Sequence, residues 1–326
     1  MKFPQSPLTT VIIENNSVQV FDDTKNPTLS YKDRASLLTV LKADELRCSD
    51  IAAASTGNAA SSLAGICAAL GLTSRVFVPK NIPKSKLLQI QTYGSEVYLV
   101  DGDYDEAFDL CLEIASSKKW YNRNTAYNPI TIEGKKSAAF DLFIAGKGDL
   151  PEYIFVPVGD GVIISGMYKG FWELKQLGWI DEFPKLIAMQ ATGSDALVRF
   201  IETDEFTYKA ASTIADSISA GAPRNLYMAA SAVKNTNGRG IRISDENILK
   251  AQSNIARNTG ILVEPSCAVS YAGFRTMMEE GSIDSSDKCL LMLTGNGLKD
   301  PDALRNSNKK LNPKTPTDWK NELLNE

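Results

Sequence analysis

The 326-residue sequence contains no histidine. That absence excludes Ser-His-Asp and Cys-His nucleophilic sites, haem held by a proximal His, His-ligated metals and any imidazole acid or base. In an enzyme so composed, proton transfers fall to Lys, carboxylate, Tyr, Cys or a cofactor. Cysteine is scarce as well. Cys48, Cys67, Cys111, Cys267 and Cys289 are odd in number, widely spaced and form no C-x-x-C pair. They predict neither a disulfide framework nor a thiolate metal site, but reduced, buried thiols in a cytoplasmic protein. No metal is expected. An excess of one charge is also missing, since 35 Lys plus Arg face 39 Asp plus Glu for a net charge of −4. No electrostatic footprint for nucleic acid follows from such a balance. No apolar run approaches the roughly 18 residues needed to span a bilayer. The opening MKFPQSPLTTVIIENN lacks the apolar core of a signal peptide. Neither a nucleic-acid nor a membrane partner is expected.

What is present is ordinary globular material. With 43% hydrophobic and 23% charged residues, the chain has enough apolar content for a sizeable core. Its length favours two domains of roughly 100–200 residues. From residue 50 onward, β-branched runs alternate with helical patterns. Ile51–Ser55 predicts a strand ending in Thr56-Gly57-Asn58, then a helix from Ala59 to Leu70 with Gly71 just past its end. Arg75–Pro79 and Glu96–Asp101 read as strands, and Pro83–Tyr93 and Tyr104–Lys118 as helices. A second block repeats the pattern. Tyr153–Val158 reads as a buried strand, followed by a helix to about Leu177 and a strand at Lys185–Gln190. Ser244 opens a helix that runs to Gly260; Ile261–Val263 and Lys288–Leu293 read as further strands. The Asn-, Lys- and Pro-rich tail from Asn306 is expected to be peripheral. The alternation predicts an α/β protein with mostly parallel sheets, whose ligands sit at the carboxyl ends of the strands.

The Gly-containing loops fall at such positions, and three loops carry candidate chemistry. Val158–Gly166 follows a strand and opens a helix, and its glycines let a phosphate approach backbone N–H groups; it is neither a Walker A loop nor G-x-G-x-x-G. A plain strand-to-helix turn is the competing reading. Asn26–Arg34 is turn-rich and carries Lys32 at the edge of an apolar helix. Such a lysine is commonly a solvated charge, but a partly desolvated one can form a Schiff base and then act as acid or base. Ser55-Thr56-Gly57-Asn58 gathers hydroxyls, an amide and helix-start N–H groups that suit a carboxylate, although Asn58 could equally cap the helix.

Taken in order, Asn26–Arg34 (N-P-T-L-S-Y-K-D-R), Ser55–Ala59, Val158–Gly161, Glu264-Pro265-Ser266 and Thr294–Pro301 (T-G-N-G-L-K-D-P) form a specific combination. The chain resembles the fold-type II pyridoxal-phosphate enzymes, which are tryptophan synthase β-like, and most closely their threonine synthase branch. The similarity runs from about Ser6 to Pro301. It implies two three-layer α/β domains with the cofactor between them. Residues 1–41 and 141–326 would form the larger, cofactor-anchoring domain, and 42–140 a smaller inserted one. Lys32 would be the Schiff-base lysine, and Asn58 would meet the cofactor's phenolic oxygen. Gly159, Asp160, Gly161, Val162 and Ile163 would hold its phosphate, and Thr294 would face the pyridine nitrogen. Ser55, Thr56 and Asn58 would lie beside the carboxylate of a small amino-acid substrate. A homodimer is implied on the same basis.

The chain also departs from that branch. Where the family binds a substrate phosphate with N-S-x-N-P-x-R-x-E-G, this sequence reads Thr125-Ala126-Tyr127-Asn128-Pro129-Ile130-Thr131-Ile132-Glu133-Gly134. Thr131 stands at the arginine position and cannot supply its bidentate, charge-assisted contact. Asp160 replaces an asparagine and Asn296 a histidine. Arg224 is available as an anion contact, although a surface or interdomain charge is its commoner role. The expected activity is therefore a lyase eliminating or replacing a β or γ substituent, either threonine synthase or a paralogue. A serine/threonine ammonia-lyase or another enzyme for an unphosphorylated amino acid is the alternative, and a non-catalytic cofactor-binding paralogue is a third.

Overall fold

The computed structural model of the protein describes residues 6–55, 57–307 and 312–324. The chain opens with an antiparallel hairpin, β1 (Leu8–Ile13) and β2 (Asn16–Asp22), followed by α1 (Lys32–Glu45). A first alternating block comprises β3 (Asp50–Ala54), α2 (Asn58–Leu70), β4 (Thr73–Pro79), α3 (Lys84–Thr92), β5 (Glu96–Val100), α4 (Tyr104–Lys118) and β6 (Tyr121–Asn122). Then come α5 (Ile130–Ala145), β7 (Tyr153–Pro157), α6 (Val162–Gln176), β8 (Lys185–Ala191), α7 (Ala196–Thr203), α8 (Leu226–Asn235) and β9 (Gly240–Ile243). The chain closes with α9 (Asp245–Thr259), α10 (Pro265–Glu279), β10 (Cys289–Leu293), α11 (Pro301–Ser307) and α12 (Pro316–Leu324).

These strands build two sheets. The larger runs β1-β2-β10-β7-β8-β9, parallel throughout except for the first hairpin, and the smaller runs β5-β4-β3-β6, wholly parallel. Helices cover both faces of each, which is why the central strands β3, β7, β8 and β10 are almost continuously apolar rather than alternating. In the larger sheet Phe155, Ile187 and Leu291 pack with Ile248, Val269 and Phe274 of α9 and α10. Their neighbours Ile154, Leu186 and Leu290 turn to Ile164, Met167 and Phe171 of α6. In the smaller sheet Ile51 and Ala53 meet Val40, Leu63 and Ile66, while Ala52 and Ala54 meet Phe108 and Cys111.

Helix α1 links the two layers, packing on α2 at one side and on α5 at the other. The α1–α5 approach is unusually close, because a Cβ on Gly134 would lie 2.3 Å from the Arg34 carbonyl oxygen. Beside it, Arg34 is a buried clamp. Its guanidinium donates to Asp23 at 2.7 and 3.1 Å, to Asp141 at 2.6 Å and to Ser137 and Ser6 at 2.8 Å each. Lys32, two residues earlier, is thereby fixed at the junction.

The expected helices and strands lie where the periodicity placed them, with limits shifted by one or two residues. Asp103 and Glu106 form a capping box at the head of α4, and Gly71 ends α2 in the left-handed region at φ 71°. Ile261–Val263 corrects the expectation of a strand. Only Val263 makes an isolated bridge, to Asn296, and its carbonyl accepts the Gln252 side-chain amide at 2.7 Å. Four residues between the left-handed Gly260 and Pro265, the last of them the N-cap Glu264, leave no length for a ladder. The described tail is peripheral in its last helix, with every residue of α12 exposed. The five cysteines are free; four are buried and Cys48 is half-buried. Among the described residues, no helix is long and apolar enough to cross a membrane.

Candidate active site

Strand ends of the two sheets face each other across one cavity. From the smaller sheet's side come Ser55, just after β3, and Asn58, the first residue of α2. From the larger sheet's side come Gly159, Asp160 and Gly161 after β7, with Val162 and Ile163 opening α6. Lys32, at the head of α1, completes the set. The structure thus gathers eight of the residues singled out from sequence. Thr56 lies outside the described residues.

The Lys32 ammonium has no hydrogen-bond partner among the described residues. Burial holds its pKa below the ordinary lysine value, with Glu264 opposing and Arg123 reinforcing the shift. A lysine so placed is readily neutral, hence nucleophilic. Asn58 does not cap α2. Its amide nitrogen donates to Glu264 at 2.8 and 3.1 Å and to Ser217 at 2.9 Å, and its Oδ1 is buried without a partner. The Ser55 hydroxyl accepts the Gly57 N–H at 3.0 Å, bracing the turn.

Both glycines of the β7–α6 loop are required by close packing. A Cβ at Gly159 would sit 2.9 Å from Ile218 Cα; Gly161, at φ +83°, would place one 2.6 Å from the Ala229 Cβ. The N–H groups of the first turn of α6 are free of intrahelical bonds and border the cavity, so the helix start offers an anion site. Asp160 is the anomaly in this loop. Its carboxyl accepts the Arg224 N–H at 3.2 Å, and burial raises its pKa against the pull of Lys135, Arg224 and Lys32. The Arg224 side chain itself turns away to Asp105 and over the Phe108 ring.

Two sequence candidates stand outside the cavity lining. Thr294 is buried and its carbonyl accepts the Tyr31 N–H at 2.9 Å, so its loop runs beside the segment leading to Lys32. Thr131 is buried in the first turn of α5, where its hydroxyl donates to the Asn128 carbonyl at 2.7 Å. Asn296, at the family's histidine position, accepts the Leu298 N–H at 2.9 Å and serves as a turn cap.

Other cavity residues escaped the sequence reading. Tyr104, Thr125 and Lys135 line one part of the wall, and Asp216 and Ser217 another. Asp216 is joined by Lys86 of α3 at 2.7 Å, an ion pair bridging the two sheet systems at the cavity. Burial opposes the charge on Lys86, but Asp216 and Glu264 overcome it and hold the pKa above the usual lysine value. One of these residues had a sequence signal. Lys135, Ala138, Ala139 and Leu142 fall at i, i+3, i+4 and i+7, so α5 buries its lysine on the core face.

Comparison with known proteins places this geometry in context. Residues 13–295 match the family described as pyridoxal-phosphate dependent enzyme. Threonine synthase of Methanocaldococcus jannaschii is 39% identical over 282 residues, covering 85% of this chain and 69% of that protein. Threonine synthase of Mycobacterium tuberculosis is 34% identical over 278 residues, covering 85% and 76%. Among solved structures, threonine deaminase isoform 2 of Solanum lycopersicum superposes with a TM-score of 0.79 at 18% identity, covering 94% of this chain and 87% of its own. Diaminopropionate ammonia lyase of Escherichia coli gives 0.80 at 15% identity, covering 93% and 87%. The last two similarities concern the fold.

Proposed function

The chain belongs to the pyridoxal-phosphate dependent enzymes, in their threonine synthase-like group, and from that premise we propose how its cavity works. It is a pyridoxal-phosphate lyase acting by elimination or replacement at the β or γ carbon of an amino acid. The residues present suit the cofactor. A free lysine amine faces a helix start whose glycines admit no Cβ, and Asn58 carries a buried acceptor with nothing to accept. Pyridoxal phosphate, when bound, supplies an electron sink that makes an amino acid's Cα–H acidic.

The rest is done by the chain. Lys32 would hold the cofactor through its amine, and its Nζ would be the group that takes the substrate's Cα proton and returns it where the reaction requires. The free N–H groups of Gly161, Val162 and Ile163, with Gly159 and Asp160, hold the cofactor phosphate. Asn58, braced by Glu264, would orient the ring, and Thr294, on the loop beside the segment leading to Lys32, would supply a neutral hydroxyl to the ring nitrogen. Ser55, Thr56 and Asn58 receive the substrate carboxylate. The Lys86–Asp216 pair ties the two sheet systems together beside the cavity and limits water entry. Residues 1–41 and 141–326 form the larger domain and 42–140 the smaller. A homodimer in the cytoplasm completes the reading.

The observation that carries it is the Lys32 amine, half-buried, lacking a hydrogen-bond partner among the described residues and lining the same cavity as the α6 start. Lys32→Ala is expected to lose the visible absorbance band of the loaded enzyme and all Cα-proton exchange. An intact band in that variant would refute the assignment. As to substrate, Asp160 in the cavity, Ala126 without a donor and Thr131 turned to Asn128 all favour an unphosphorylated amino acid over O-phosphohomoserine. Phosphate and threonine formed from O-phosphohomoserine would reverse that preference, whereas 2-oxoacid and ammonia from hydroxyamino acids would support it.

A further inference from the structure

We propose that Lys135 is the specificity residue for the substrate side chain, and that the group it recognises is a carboxylate. The inference rests on the cavity being the cofactor and amino-acid site.

Lys135 is 1% exposed and lines the cavity, yet its ammonium has neither a hydrogen-bond acceptor nor an ion-pair partner among the described residues. A cation in that position is costly unless an anion joins it. The protein's own charges do not relieve it. Lys32 and Arg123 repel it, only Asp160 attracts it, and with burial leading these effects its pKa falls well below the ordinary value. Arg123 adds a second unsatisfied donor nearby. Its Nη1 reaches Thr125 at 3.2 Å, while Nη2 is buried without a partner. Core packing does not account for a lysine here, since the neighbouring core-face positions on α5 are Ala138, Ala139 and Leu142. Among the described residues, its bond beyond its own helix is through its carbonyl, which accepts the Tyr31 hydroxyl at 2.7 Å and would do so with any side chain.

This group enters the cavity from a different element than the other anion sites. The substrate α-carboxylate is assigned to the Ser55–Asn58 turn and the cofactor phosphate to the α6 start, whereas Lys135 enters from α5. The hydroxyls of Tyr104 and Thr125 line the same cavity and offer further hydrogen bonds. The donors present decide the kind of anion. A substrate phosphate would add a second dianion beside the cofactor phosphate, with no arginine at position 131 and no hydroxyl at position 126 to offset the repulsion. A monoanionic carboxylate needs one ammonium and one or two donors, and those are present.

The test uses the holoenzyme and its visible spectrum. Wild type, Lys135→Gln and Lys135→Met are titrated with L-aspartate, L-glutamate, L-threonine and O-phosphohomoserine, and each apoenzyme with pyridoxal phosphate. The methionine fills the buried volume if glutamine destabilises α5. Wild type should bind the two acidic amino acids in preference to threonine. Both variants should lose that preference about 10- to 100-fold, as expected for one charge-assisted bond. Their affinities for threonine and cofactor should stay within about threefold. Tightest binding of O-phosphohomoserine, or no preference for acidic side chains in a responsive wild type, overturns the inference alone. Weakened cofactor binding in the variants does so too, by assigning Lys135 to the cofactor phosphate. A wild type whose spectrum no amino acid perturbs overturns the reading of the cavity and the inference with it.

Discussion

Replacing Arg34 by methionine tests the framework that positions Lys32. The guanidinium and the Asp23 carboxylate are each about 1% exposed, and two hydrogen bonds join them at 2.7 and 3.1 Å. Asp141 is 28% exposed and can recover water once the arginine is gone. Its share is that of a surface pair, about 0–1 kcal/mol. Asp23 cannot recover water, and stranding a buried charge costs about 3–5 kcal/mol. The methionine retains contact with Phe21 and Tyr31, whose rings lie 5.3 and 5.5 Å from the guanidinium carbon, so the loss is mainly electrostatic. With a urea m-value of about 3 kcal/mol/M, the unfolding midpoint should fall by about 1–2 M. Adding Asp23→Asn removes the stranded charge and should restore about half of the lost stability, although neither change alone is benign. Urea unfolding followed by circular dichroism checks both steps, and the visible band of the loaded enzyme reports whether Lys32 keeps its place. A double variant no more stable than Arg34→Met would refute the reasoning, because the loss would then lie in packing rather than in the unpaired carboxylate.

Two further expectations concern the same framework. Gly134→Ala pushes a methyl against the Arg34 carbonyl and Ala35 Cα, 2.3 and 2.8 Å away, and backbone cannot yield as a side chain would. We expect a loss of about 1–3 kcal/mol in urea unfolding together with a weakened cofactor band, and an unchanged band would mean that α1 and α5 can separate without moving Lys32. Lys299 donates to the Thr28 carbonyl, Ser61 and Gln89, yet burial lowers its pKa to about 8 despite Glu264 and Asp33. Unfolded, it titrates near 10.5, so between about pH 8 and 10.5 the unfolded chain binds more protons and this residue makes stability rise with pH. The stability difference between wild type and Lys299→Met should therefore shift in favour of wild type across that window; a pH-independent difference would contradict the low folded-state pKa.

The sequence by itself determined the chemistry class and the local pieces that serve it. An absent histidine excluded imidazole chemistry, the ordered motifs carried the family resemblance that implies Lys32, and strand–glycine–helix runs at 55–58 and 159–163 are local patterns set by backbone sterics, hence legible without neighbours. Helix and strand order followed from hydrophobic periodicity for the same reason. The edge strands β1 and β9 and the hairpin strand β2 carry a weaker pattern and were not read. Only the tertiary structure decided which polar residues share a cavity. Asn58 became a partner of Glu264, 206 positions away, and not a helix cap. Thr131 turned to its own helix start, while Lys135, four residues on, became an amine without a partner among the described residues, beside Lys32 and Asp160. The physical reason is that the meaning of a buried charge lies in what surrounds it. Desolvation and pairing depend on segments brought together by the two sheets, and a local stretch of sequence records neither.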